Sequence, residues 1–128
     1  MTVLSISPID ADHLSLEASI DRSTWKLSKA HDLVSALPLL EQHNLGVVIC
    51  ERNLPPGTWI DVLEHIKTLP ITPSLIVTDR LADERLWVEA LNLGAWDVMA
   101  KPFDRGEVIR CVESGWRHWF DRIQIPAA

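Results

Sequence analysis

The run Gly46-Val47-Val48-Ile49-Cys50 carries no charged side chain on either of the two faces that strand alternation would give it. Such a strand must be covered on both sides, as a central strand of a parallel sheet is when helices flank it. The rest of the chain supplies the covering layers. Thr2 to Ile6 reads as a short apolar strand closed by Ser7-Pro8. A helix follows, capped by Asp10 or Asp12 and running to Ile20, with Leu14, Leu16 and Ile20 partly buried. Thr24 to Leu27 reads as a weak second strand. Ser28 to His31 lead into a helix that reaches His43, on which Leu33, Val34, Leu37, Leu40 and Glu41 keep a three-four spacing. Pro38 lies inside it and marks a place for a kink or a break.

Beyond the central run, which ends at Glu51, Asn53 to Gly57 reads as a loop. Trp59 to Leu69 reads as a helix with Ile60, Leu63 and Ile66 inward, and Pro73 to Val77 as another buried strand ending at Thr78-Asp79. A helix over Ala82 to Leu93 stops at Gly94, Trp96 to Ala100 forms a fifth strand, and Lys101-Pro102-Phe103 leads to a last helix from Arg105 to Ile123. Five strands alternating with five helices over short connections predict an α/β fold, a doubly wound five-stranded parallel sheet covered on both faces. In such sheets the functional crevice lies at the carboxyl ends of the strands, which directs attention to Ser7, Pro8, Glu51, Thr78 and Lys101.

A chain of 128 residues is long enough to bury a core unaided, and residues 1–128 are expected to form one domain. A net charge of −6 leaves no basic footprint for nucleic acid. No apolar run approaches the roughly 20 residues that cross a bilayer, so no membrane is expected and the location is expected to be cytoplasmic. Cys50 and Cys111 have no metal-ligand spacing and read as reduced core thiols. Neither a glycine-rich phosphate loop after the first strand nor a nucleophile with its base is visible, so enzymatic activity is not expected.

Taken together, Glu51-Arg52-Asn53-Leu54-Pro55, Thr78, Gly94-Ala95 and Lys101-Pro102-Phe103 make the chain resemble, over essentially its full length, a response-regulator receiver domain of two-component phosphorelay signalling. The resemblance implies the flavodoxin-like (βα)5 arrangement. It makes Glu51 the counterpart of the phospho-accepting aspartate, with Thr78 and Lys101 as the residues that read the phosphoryl group and Asn53 nearby. Ser7 and Pro8 fall where the family places two acidic residues for Mg2+. Proline has no side-chain ligand and serine only a neutral oxygen, so Mg2+ binding is expected to be lost or weak and the chain to carry no cofactor. Val98 stands where the family's switching aromatic would be.

Lys101 is therefore expected to pair with the Glu51 carboxylate and Thr78 to donate to it. That set either imitates a phosphorylated aspartate or is a residual structural ion pair. The resulting expectation is a phosphorylation-independent pseudo-receiver that works by protein–protein interaction. The alternative is an atypical, phosphorylatable receiver in which Asp10, Asp12 or Asp79 completes a rearranged metal site. The resemblance implies signalling partners such as a histidine kinase or a fused effector. It also implies a homodimer face on the fourth helix, fifth strand and fifth helix, with Trp87 and Trp96 as candidate contacts. Trp116 and Trp119, three apart on the last helix, are expected to pack into the core.

Overall fold

The computed structural model describes residues 1–20 and 24–124. Five parallel strands, β1 (Thr2–Ile6), β2 (Lys26–Ala30), β3 (Leu45–Glu51), β6 (Ser74–Asp79) and β7 (Asp97–Ala100), form one sheet in the order β2-β1-β3-β6-β7. Between β3 and the third helix, β4 (Asn53–Leu54) and β5 (Gly57–Thr58) pair as a small antiparallel hairpin. The helices are α1 (Asp10–Ser19), α2 (Leu33–Leu40), α3 (Trp59–Ile66), α4 (Glu84–Leu93) and α5 (Arg105–Gln124). Alternate strand residues feed two cores. On one face Leu4, Val48 and Val77 meet α2, α3 and α4 around Trp59, and on the other Val3, Val47 and Ile76 meet α1 and α5. All seven residues of β3 are buried, as the apolar run requires.

α5 lies close over β3. A Cβ on Gly46 would come within 2.8 Å of a Trp116 ring carbon and 2.9 Å of one from Trp119, so only glycine lets the two indoles close that end of the core. Trp119 is buried and Trp116 partly so, in line with the expectation for this pair. Gly94 ends α4 with φ 112°, a left-handed conformation suited to glycine. Among the described residues, no helix is long and apolar enough to cross a membrane.

Several expectations are corrected. β2 begins later than Thr24 and runs to Ala30, because its register is set by backbone pairing to β1 up to Ile6↔Ala30 and not by an apolar run. α2 starts where expected, at Leu33 behind the Asp32–Ser35 capping box, but ends at Leu40 with Glu41 as its C-cap, short of His43. It continues through Pro38 without a break; Val34, four residues earlier, is 76% exposed, so solvent is at hand for the carbonyl that loses its donor. Ala36 and Leu40 form its buried stripe, and Val34 does not. In α1, Leu14 is exposed and His13 is buried in its stead. Asn53 to Gly57 is not a plain loop, because its ends pair as the β4–β5 hairpin.

The expected capping role of Asp10 or Asp12 also fails. Ile9 is the N-cap of α1, and its N–H donates to the Ser7 hydroxyl at 3.1 Å. With that donor served by Ser7, the Asp12 carboxylate is free to point elsewhere.

Candidate functional site

Backbone pairing sets the site. Glu51 closes β3 directly beside Thr78 on β6, Ser7 follows β1, and Lys101 follows β7. The Lys101 ammonium reaches inward to Glu51 Oε2 at 2.7 Å and to Asp12 Oδ2 at 3.0 Å. Thr78 Oγ1 donates to Glu51 Oε2 at 3.2 Å, and Ser7 Oγ donates to Asp12 Oδ2 at 2.7 Å. The three charged side chains are only 7–9% exposed. The crevice thus holds one cation clasped by two carboxylates, each carboxylate also held by a hydroxyl.

This geometry decides the electrostatics. Burial pushes the Glu51 carboxyl above its ordinary value; the hydrogen bond and charge of Lys101 and the Thr78 hydroxyl pull it back without cancelling the rise, and the Asp12 charge adds to it. Burial works against the Lys101 charge, but the two carboxylates outweigh it and raise its pKa. Burial thus decides the direction for Glu51, and the two facing carboxylates decide it for Lys101.

A second buried polar group supports the first. His13 is 3% exposed; its Nε2 lies 3.0 Å from the Ser7 carbonyl and its Nδ1 2.8 Å from Ser5 Oγ. A carbonyl can only accept, so Nε2 carries the proton and Nδ1 accepts from the Ser5 hydroxyl. His13 therefore pins the turn that carries Ser7 and, through it, Asp12. Burial lowers the pKa of His13. A depressed imidazole contributes stability above its unfolded value of about 6.5 and loses it as pH falls through the folded value. The urea midpoint of the wild-type protein is expected to fall on acidification below that pH more steeply than that of His13→Gln; equal pH profiles would count against a buried neutral imidazole.

The expected Glu51–Lys101 and Thr78–Glu51 contacts are present, and Ser7 adjoins them. Other expected site residues lie apart. Pro8 is exposed. Asn53 stands exposed on the hairpin, outside the hydrogen-bonded set, because β4 pairing turns it away. Val98 is buried beside Leu86 and Ala90 under α4, and a valine has no polar atom with which to read the crevice. Asp10 pairs with His31 at 2.7 Å with its side chain 82% exposed, and Asp79 takes Arg52 at 3.2 Å. Of the three acids considered for a rearranged site, Asp12 alone enters the crevice. Among the described residues, no group of three or more His, Cys, Asp or Glu side chains is placed to hold a metal ion.

On the flanking face, Trp87 is 46% exposed on α4 with Val88 and Leu93 near it in sequence. Trp96 is not free in the same way. It is half-buried, stacked on His118 at 4.2 Å, and its Nε1 donates to Ser114 Oγ at 3.3 Å, because α5 passes over it. Both thiols are buried; burial raises Cys50, and burial with the nearby Asp97 pushes Cys111 up to about 12, so neither is a nucleophile at neutral pH.

Sequence reading missed His13 altogether and offered Asp12 only as one of three acids for a rearranged metal site, not as a partner of Lys101. The available signal was a polar pair, Asp12-His13, early in the first helix, opposite the polar Ser5 of the first strand and Ser7 just after it.

A family profile described as response regulator receiver domain matches residues 11–113. The transcriptional regulatory protein CpxR of Klebsiella pneumoniae is 29% identical over 115 residues, covering 88% of this chain and 49% of that protein. This chain thus spans about half the length of that curated relative. The signal receiver domain of a putative Luxo repressor protein from Vibrio parahaemolyticus superposes with TM-score 0.85 at 18% identity, over 98% of both chains. The receiver domain of sensor histidine kinase PA1611 from Pseudomonas aeruginosa, solved with magnesium in its active-site cleft, gives TM-score 0.76 at 18% identity over 91% of this chain and 97% of that one.

Proposed function

The chain belongs to the response-regulator receiver family, and on that footing we propose that it is a phosphorylation-independent receiver, a module of two-component signalling that acts by binding other proteins and not as an enzyme. The observation that carries this reading is the Lys101 ammonium held between Glu51 and Asp12. It supplies a permanent positive charge where an active receiver's chemistry needs a removable divalent one. Magnesium prefers several hard, anionic oxygens in near-octahedral array. Ser7 and Pro8 do not offer them, and the two carboxylates present are already committed to the lysine. Magnesium binding is therefore lost or weak in this reading, and no step runs through it.

Glu51 then occupies the acceptor position as a fixed anion. Its longer side chain carries the carboxylate outward to Lys101 and Thr78, so that it imitates a phosphorylated aspartate in a single state. Partners would be signalling proteins, a histidine kinase or a fused effector among them, met in the cytoplasm. The α4–β7–α5 face, with Trp87 as its exposed anchor and Trp96 at its margin, would carry that contact or a homodimer.

One observation favours a second reading, an atypical receiver that still accepts phosphoryl: the carboxylate of Asp12 does enter the crevice. Incubation with acetyl phosphate and Mg2+, beside an active receiver treated in parallel, separates the two. The intact mass of this chain is expected to stay unchanged. A gain of one phosphoryl group would overturn the first reading and establish the second.

A further inference from the structure

Beside the crevice, at the carboxyl edge of the sheet, a groove of about 380 Å3 opens between the first turn of α2 and the segment that joins β3 to α3. Its apolar walls include Leu33, Val34, Pro55 and Pro56, and it is also lined by Asp32 and Asp61. Helix α2 has no charged side chain in its eight residues, yet only Ala36 and Leu40 are buried, and Val34 is 76% exposed. That helix is more apolar than its packing on the sheet requires.

The groove is also rigid. Leu54 and Gly57 are paired across the hairpin. The Asp61 carboxylate accepts the Thr58 N–H at 2.8 Å, and it sits so close to Gly57 that a Cβ there would meet it at 2.1 Å. Preformed walls reduce the ordering cost of any occupant.

Charge narrows the choice of occupant. No lysine or arginine is among the lining residues, which include two carboxylates. Each carboxylate belongs to a helix capping box, and each helix end offsets about half a unit charge, so about one negative charge remains over the groove. Isologous docking of a second copy would set the same carboxylates against each other, which disfavours that occupant.

We propose that this groove docks an extended segment of a partner protein bearing leucine-like side chains flanked by lysine or arginine. The proposal goes beyond the signalling reading above: it concerns a surface separate from the α4–β7–α5 face and holds whether or not Glu51 can take a phosphoryl group.

The test is titration of the isotope-labelled chain, followed by amide NMR, with a short synthetic peptide of alternating lysine and leucine and with its glutamate–leucine counterpart. Shifts are expected at Val34, Leu54, Gly57 and Thr58. The glutamate peptide should bind about tenfold more weakly or worse, because two favourable charge contacts become unfavourable. Asp32→Asn with Asp61→Asn should weaken the lysine peptide while leaving the fold intact, since asparagine serves as an N-cap at 32 as well as aspartate does and an amide oxygen at 61 can still accept the Thr58 N–H. Val34→Glu, at an exposed position, should abolish binding. The proposal is overturned by an absence of shifts at millimolar peptide, by shifts centred elsewhere, or by equal affinity for the two peptides. It is equally overturned if Val34→Glu dissolves a dimer seen by sedimentation, which would assign the face to a second copy.

Discussion

Lys101→Met is expected to destabilise the fold by about 3–5 kcal/mol, the usual cost of stripping one partner from a buried ion pair. The reason lies in the count of charges. Among the described residues Lys101 is the only cation bonded to the buried carboxylates of Glu51 and Asp12, so its loss leaves two anions facing each other in a crevice where both side chains are largely buried. Near the melting temperature that loss corresponds to a drop of roughly 10–20 °C for a domain of this size. Glu51→Gln should behave oppositely, staying within about 1 kcal/mol of wild type, because the amide oxygen can still accept from Thr78 and Lys101 while the net negative charge disappears.

The pH dependence carries the same sign. Glu51 has a raised carboxyl pKa, so its contribution to stability is fully present only below the unfolded value of about 4.5 and is lost as pH rises through the folded value. Neutralising it by mutation makes that gain permanent. Adding Glu51→Gln to Lys101→Met should accordingly recover about 1–2 kcal/mol, a coupling of the size that contacting buried groups show. Urea unfolding of the four proteins at neutral pH measures the cycle. If Lys101→Met costs less than about 1 kcal/mol, the crevice is wet and the clasp contributes no more than a surface pair does.

The parts of the fold that were legible in sequence are those where burial alone dictates residue type. Leu45–Glu51 is buried along its whole length and reads as an apolar run; Gly94 is needed for a left-handed φ and reads as a helix stop. β2 was less legible because it is an edge strand. Lys26 and Lys29 are exposed along it, as edge strands commonly arrange to block stray pairing, and so it has no run to see. α2 was overextended at its C-terminal end, because Glu41 to His43 after Leu40 contain no glycine or proline to mark the stop.

The site divides along a similar line. Glu51, Thr78 and Lys101 sit at strand ends, where topology brings them together whatever the loops do, and their contacts were foreseeable. Asp12 could be offered only as one of three acids, because its direction depends on a competition within one turn. An acid at that position ordinarily reaches back to the helix cap; here the Ser7 hydroxyl takes the Ile9 N–H and His13 holds the Ser7 carbonyl, so Asp12 is left to turn toward Lys101. Competition among short-range hydrogen bonds of similar strength leaves little trace in sequence pattern, whereas apolar periodicity does.

Adding acids at the crevice should make its stability depend on a divalent cation. In Ser7→Asp, Pro8→Asp, Glu51→Asp, the carboxylates at 7, 12 and 51 would share the single ammonium of Lys101, with the one at the exposed position 8 at the rim. The shorter aspartate at position 51 also draws its carboxylate back from Lys101, opening room between them. Without a divalent ion the triple variant should melt below wild type, because like charges are held together in a poorly solvated pocket. With Mg2+ at about a hundred times its dissociation constant, binding to the native state alone returns about 2.7 kcal/mol, a rise of roughly 10 °C. The wild-type chain, whose two crevice carboxylates are already bound to Lys101, should melt at the same temperature in Mg2+ and in chelator. Thermal unfolding of both proteins under both conditions decides the matter. An equal upward shift of the wild-type protein in Mg2+ would mean that Asp12 and Glu51 release the lysine for the metal, and the clasp would then be a resting state of a working receiver.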